Sequence, residues 1–173
     1  MKPLGFALFE TAIGACGIAW SDAGVVSVQL PERNDEATRS RLAKRCAGAG
    51  ENRPPAEVQR AIDAIVSLLA GEATDLSLIT LDMDGVPEFH RRVYEVARTI
   101  QPGSTLTYGE IAARLGDPGA ARAVGQALGR NPFVLVVPCH RVLAARGKTG
   151  GFSANGGTST KLTLLAIEGA QLF

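Results

Sequence analysis

The chain has 173 residues, 46% of them hydrophobic and 20% charged, enough to bury one large core or two small ones without covalent staples. Its longest apolar run, Phe133 to Val137, is far too short to span a bilayer, and Met1-Lys2-Pro3-Leu4 does not open a secretion signal. Cys16, Cys46 and Cys139 are too few and too scattered for a disulfide framework. No zinc site can be assembled from Cys16, Cys46 and His90, so a cytoplasmic protein with free thiols and no metal is expected.

The net charge of +1 hides a division. Residues 1–84 hold eight basic and 12 acidic side chains, whereas residues 85–173 hold ten basic and five acidic ones. A basic half is the footprint of a polyanion-binding module, although small domains also reach such values by chance.

In chain order, Phe6 to Glu10, Gly14 to Trp20 and Gly24 to Leu30 are apolar runs separated by short turns, which predicts an antiparallel meander. A polar segment from about Asn34 to Cys46 has a loose helical pattern. Val58, Ala61, Ile62, Ile65, Leu68 and Leu69 then recur at helical spacing, with Gly71 beyond them. Leu76 to Leu81 reads as a strand. No motif in this half carries chemistry.

Pro87 opens the next helix, with Phe89, Val93, Val96, Ala97 and Ile100 on its apolar face, and Pro102-Gly103 ends it. Thr107-Tyr108-Gly109-Glu110 is a capping box for a helix that buries Ile111, Ala112 and Leu115 and stops at Gly116. Asp117 and Pro118 fit as cap and first residue of another helix reaching about Gly129, with Val124 and Leu128 inward. Two short helices across a tight turn predict a helix-turn-helix. The small residues Ala120, Ala121, Ala123 and Gly125 would let the second helix approach a groove closely, though alanine also serves any helix.

Phe133 to Val137 reads as a buried strand delivering the chain into Pro138-Cys139-His140-Arg141-Val142. A thiol beside two cationic side chains is placed for reactivity, because neighbouring positive charge favours the nucleophilic thiolate. Adjacent strand residues face opposite ways, so a Cys139–His140 dyad needs a turn or a bridging water. Thr158 or Ser159 fits as the cap of a last helix carrying Leu162, Leu164 and Leu165 to Glu168.

The pentapeptide Pro138-Cys139-His140-Arg141-Val142 resembles the active-site signature of the O6-alkylguanine-DNA alkyltransferases. Over residues 85–173, Ala121 to Gly125 resembles that family's recognition helix, Asn131-Pro132 its asparagine hinge and Glu168-Gly169 its C-terminal acid. The resemblance implies an α+β protein. Residues 1–84 would form an N-terminal α/β domain, ribonuclease H-like, with antiparallel strands. Residues 85–173 would form a mostly helical, winged-helix-like domain for DNA binding and alkyl transfer.

It further implies irreversible transfer of an alkyl group from O6-alkylguanine in double-stranded DNA to Cys139, once per molecule, by a monomer with no cofactor. His140 would deprotonate Cys139 through a water, Glu168 would orient His140, Tyr108 would donate a proton to the departing guanine, and Asn131 would hold the loop. Arg122 would fill the gap left by a flipped base, with Ala121, Ala123, Gly125 and Thr107 against the DNA. Pro138, Val142, Phe152 and Ser153 would line the base pocket. The segment Gly151 to Thr158 departs from the usual pattern: Phe152 stands where a tyrosine is common, and the Gly-rich loop is about two residues longer. Glycines there would form a wall close to the base. Three other readings stand beside this one: a non-catalytic sensor of alkylated bases, a helix-turn-helix regulator, and a cysteine hydrolase. The presence of Cys139 with His140 and Glu168 weighs against the first.

Overall fold

In the computed structural model, which describes residues 2–171, β1 (Gly5–Thr11), β2 (Gly14–Ser21) and β3 (Gly24–Gln29) form the antiparallel meander. The register pairs Thr11 with Gly14 and Ser21 with Gly24, so each connection is two residues long. Hydroxyls stabilise both turns: Thr11 Oγ1 accepts from the Ile13 amide at 3.2 Å, and Ser21 Oγ from the Ala23 amide at 3.1 Å. A short β4 (Gly50–Glu51) joins β1 in parallel, giving a mixed sheet of order β3-β2-β1-β4.

Two helices accompany this sheet. In α1 (Asp35–Arg45) the Asn34 side chain caps the Ala37 amide at 2.8 Å, acids fill the first turn and bases the last, as the helix dipole favours. The helix α2 (Ala56–Leu69) buries the six residues that its spacing predicted. Phe6, Ala19, Val26, Leu42 and Cys46 form a core cluster between sheet and α1, each large side chain contributing about 2 kcal/mol by burial.

The free edge of β3 is closed by irregular chain. The Val25 amide donates to Thr80 O at 2.9 Å, the Asp82 amide to Val25 O at 2.8 Å, and the Val28 amide to Pro132 O at 2.9 Å. Gly24 admits the first of these, since a Cβ there would lie 2.7 Å from Thr80 O. The Ser21 hydroxyl donates to buried Asp82 at 2.6 Å. These contacts correct two expected strands. Only Leu81 of Leu76 to Leu81 forms a bridge, and Leu78 is 89% exposed. Phe133 to Val137 is buried, but Phe133 makes a single bridge and Leu135 turns sharply with φ 76°. Apolar content signalled burial there, while the backbone bends out of any strand.

The chain divides into two compact units. One runs to Gly85 and includes Pro132–Val136; the other comprises Val86–Asn131 and the chain from Val137. Five residues expected in the second half therefore belong to the first unit. In the second, α3 (Glu88–Ala97) is followed by β5 (Leu106–Thr107), α4 (Tyr108–Arg114) and α5 (Ala121–Gly129). Then come β6 (Val142–Leu143), parallel to β5, and α6 (Gly157–Ile167). The Thr107–Glu110 capping box forms, with both bonds at 3.0 Å. Asp117 does not cap with its side chain, because Pro118–Ala120 makes one 3₁₀ turn ahead of α5. Neither Thr158 nor Ser159 caps α6, which starts at Gly157 behind a left-handed Gly156. Among the described residues, six α-helices together with a mixed sheet make this an α+β fold.

Candidate active site

Cys139, His140 and Arg141 form a single 3₁₀ turn. At three residues per turn, consecutive side chains diverge by about 120°. The thiol joins a cavity of about 350 Å³ lined by Tyr108, Gly125, Leu128, Gly129, Gly151, Phe152 and Ser153, within the range of small-ligand pockets. A larger cavity of about 1000 Å³ in the first unit, beside Trp20 and α2, carries no cysteine or histidine.

His140 and Arg141 turn instead toward Glu168, just past α6. His140 Nε2 lies 2.9 Å from Glu168 Oε2, and Arg141 grips both oxygens of that carboxylate at 2.8 Å while donating to Ile100 O at 2.6 Å. Burial alone would raise the Glu168 pKa, but the hydrogen bonds from Arg141 and His140 hold it down at about 2. An ionised carboxylate only accepts, so Nε2 carries the proton and Nδ1 has the lone pair. Nδ1 is buried with no hydrogen-bond partner among the described residues. Burial pushes the His140 pKa down, against the pull of Glu168, so the ring rests neutral.

The thiol's own electrostatics correct the expectation drawn from its neighbours. Arg141 is spent on Glu168 and Ile100. Burial raises the Cys139 pKa, leaving a resting thiol, and the groups that oppose burial are the Asn131 side-chain amide, the Lys161 charge and the backbone amides of Cys139 and His140. Asn131 is buried, and its Nδ2 also donates to Val137 O at 2.9 Å. It thereby pins the two ends of the 132–136 excursion together beside the thiol.

Tyr108 begins α4, and Tyr94 on α3 donates its hydroxyl to Ala127 O on α5 at 2.7 Å. Burial and the nearby Cys139 raise the pKa of both phenols, Tyr94 to about 12. Gly150 is required by Tyr108: its φ is 73°, and a Cβ there would meet the hydroxyl at 2.7 Å. A Cβ at Gly151 would meet nothing within 4 Å.

The expected residues therefore separate. Cys139, Tyr108, Phe152 and Ser153 line one cavity; Asn131 adjoins the thiol; His140 and Glu168 pair behind it. Pro138 and Val142 are buried and lie outside the cavity lining; of the pentapeptide, the 3₁₀ turn brings Cys139 to it. Gly125, expected against DNA, faces Tyr108 and the cavity. Thr107 is engaged in its capping box. Ala121 and Ala123 are half-buried, and Arg122 is exposed on α5. Gly151 lines the cavity, as expected of the glycines of its loop, whereas Tyr94, Leu128, Gly129 and Lys161 were not among the expected site residues. Lys161 reads as a solvated helix lysine, and only its i,i+3 and i,i+4 relation to Leu164 and Leu165 hinted that it faces inward. Among the described residues, no group of three or more His, Cys, Asp or Glu is arranged to hold a metal, and no helix is long and apolar enough to cross a membrane.

The family profile for 6-O-methylguanine DNA methyltransferase, DNA binding domain, matches residues 88–170. A methylated-DNA–protein-cysteine methyltransferase of Methanothermobacter thermautotrophicus is 39% identical over 90% of this chain and 80% of its own. One of Mycolicibacterium paratuberculosis is 41% identical over 92% and 88%. The crystal structure of Mycobacterium tuberculosis OGT in complex with DNA superposes with a TM-score of 0.78 at 34% identity, covering 96% of this chain and 93% of that one.

Proposed function

The chain belongs to the methylated-DNA–protein-cysteine methyltransferase family, and on that premise we propose that it repairs O6-alkylguanine in double-stranded DNA by moving the alkyl group onto Cys139. The observation that carries this reading is the cavity that ends on the Cys139 thiol, backed by a neutral, Glu168-oriented imidazole. Sγ attacks the alkyl carbon; the carbon–oxygen bond breaks, and its electrons return to guanine. The thiol proton leaves through a water to His140 Nδ1, the free acceptor of that ring. Glu168 holds the imidazole in the right tautomer and stabilises the imidazolium. Tyr108, at the cavity wall, donates toward the departing base. The thioether product has no leaving group for water to displace, so each molecule acts once and needs no cofactor.

A base must leave the duplex to reach this cavity. Arg122, exposed on the small-residue helix α5, fills the gap, while Ala121 and Ala123 let the backbone approach the minor groove. The first unit, a meander with two helices, fits a ribonuclease H-like description. The second, a helix pair with the β5–β6 ribbon, fits a winged-helix-like one. Three free thiols suit the cytoplasm. A non-catalytic sensor is not favoured, since the nucleophile and its base are both in place.

The test is to count restored guanine in a duplex carrying O6-methylguanine: yield should plateau at one guanine per protein molecule. Continued turnover would point to a hydrolase. In the same assay, Arg122→Ala should slow transfer from duplex about tenfold or more and leave transfer from free O6-methylguanine base nearly unchanged, because flipping is needed only in the duplex. Equal losses on both substrates would remove Arg122 from this role.

A further inference from the structure

Lys161 is fully buried on α6. Its ammonium donates to three carbonyls: Val142 O at 2.6 Å, Thr149 O at 2.5 Å and Gly151 O at 3.2 Å. An ammonium has three protons and no acceptor site, so all three bonds require the charged form. No carboxylate among the described residues pairs with it, which is an expensive arrangement for a buried cation. It also stands 5.8 Å from the centre of the Tyr108 ring, and the nearby charge it shares influence with is that of Cys139.

Resting on the transfer reading, we propose that Lys161 is a positioning residue that ties Thr149 and the cavity-lining Gly151 to the strand after Cys139 and supplies the fixed counter-charge to the Cys139 thiolate. Two observations carry this independently of each other. The carbonyl bonds join residues 142, 149 and 151 through one atom, so the wall that presses on Tyr108 through Gly150 is held from behind. The cation is already desolvated, bonded to Val142 O three residues after Cys139 and 5.8 Å from the ring of Tyr108, which lines the same cavity as Cys139, so it needs no reorganisation when the anion forms. With all three protons committed to carbonyls, Lys161 acts on the sulfur through space and does not serve as its base; that part stays with His140. Burial pulls the Lys161 pKa down to about 8, while Cys139 pulls it up, so the cation persists at neutral pH and is lost on the alkaline side.

The groups facing this pair are Tyr94 from α3, Tyr108 from α4, the Asn131 amide after α5, and His140 with Arg141 and Glu168 behind it. Arg141 is held by Glu168, and it is the charge of Lys161 that lowers the Cys139 pKa.

The experiment follows the alkylation of Cys139 by iodoacetamide against pH, mapped by mass, in the wild type, Lys161→Met and Lys161→Arg, alongside transfer from an O6-methylguanine duplex. Lys161→Met should raise the apparent ionisation midpoint of Cys139 by about one pH unit or more and slow both reactions at neutral pH about tenfold. Lys161→Arg should keep the midpoint near that of the wild type. An unchanged midpoint in Lys161→Met, with transfer slowed, would leave Lys161 a purely structural role and overturn the electrostatic part. A wild type that is alkylated by iodoacetamide but takes nothing from the duplex would instead defeat the transfer reading. Should Lys161→Met fail to fold, carbon-13 NMR of the lysine ε positions decides: by reciprocity, Cys139→Ala must lower the Lys161 midpoint, and equal midpoints would refute the coupling.

Discussion

Replacing Cys139 with alanine is expected to abolish alkyl transfer entirely while leaving DNA affinity within about twofold of the wild type. The expectation follows from the division of labour in the second unit. Sγ is the thiol atom that reaches the cavity, and Cys16 and Cys46 are buried in the first unit. Burial pushes Cys16 to a pKa of about 12, which leaves it inert. The basic side chains of residues 85–173, which would meet phosphates, are untouched by the change, so binding should persist and weaken with added salt. Gel shifts on modified duplex, combined with a guanine-restoration assay, separate the two functions. Residual transfer in Cys139→Ala would mean that another residue is the acceptor.

The second large effect belongs to Glu168. Glu168→Gln should slow transfer on the order of a thousandfold and destabilise the protein by about 3 kcal/mol or more. One carboxylate satisfies both His140 and Arg141, whose side chains are nearly or fully buried. An amide would leave the Arg141 charge without its counter-ion and would tolerate the opposite tautomer of His140. The pH dependence has a defined sign. The folded carboxyl titrates at about 2, below its ordinary 4.5. Its contribution is therefore present above about pH 4.5 and is lost as pH falls from there toward 2. Thermal melts should show wild-type stability dropping through that window and Glu168→Gln holding flatter across it. Parallel curves would show that the carboxylate is not held as the geometry implies.

These expectations rest on residues that differ in how readily the sequence exposes them. The meander and α2 follow from alternation and helical spacing, and the structure keeps them because local preference and burial agree. The irregular segments went astray for one shared reason. In Leu76–Leu81 and Phe133–Val137 the apolar pattern reported burial, yet the backbone satisfies itself by single bridges to the edge of β3, a long-range pairing that periodicity does not encode. The site behaves similarly. Cys139, His140 and Glu168 were singled out by the pentapeptide and its flanks, and His140 and Glu168 do meet across 28 positions. The source of positive charge was misassigned, because adjacency in the chain was taken for proximity. The 3₁₀ turn sends Arg141 away from the sulfur, and the cation that acts on it lies 22 residues later, at a helix position that looked solvated. Gly125 was expected against DNA for its size, and the structure sets it next to Tyr108 as well, a contact its spacing does not reveal.

The account is tested most directly by intact and peptide mass spectrometry after the protein is mixed with a duplex carrying one O6-methylguanine. It predicts the gain of a single methyl group, saturating at one per molecule and mapping to the peptide that contains Cys139. Binding with no gain in mass, or a methyl group on any other residue, would contradict it.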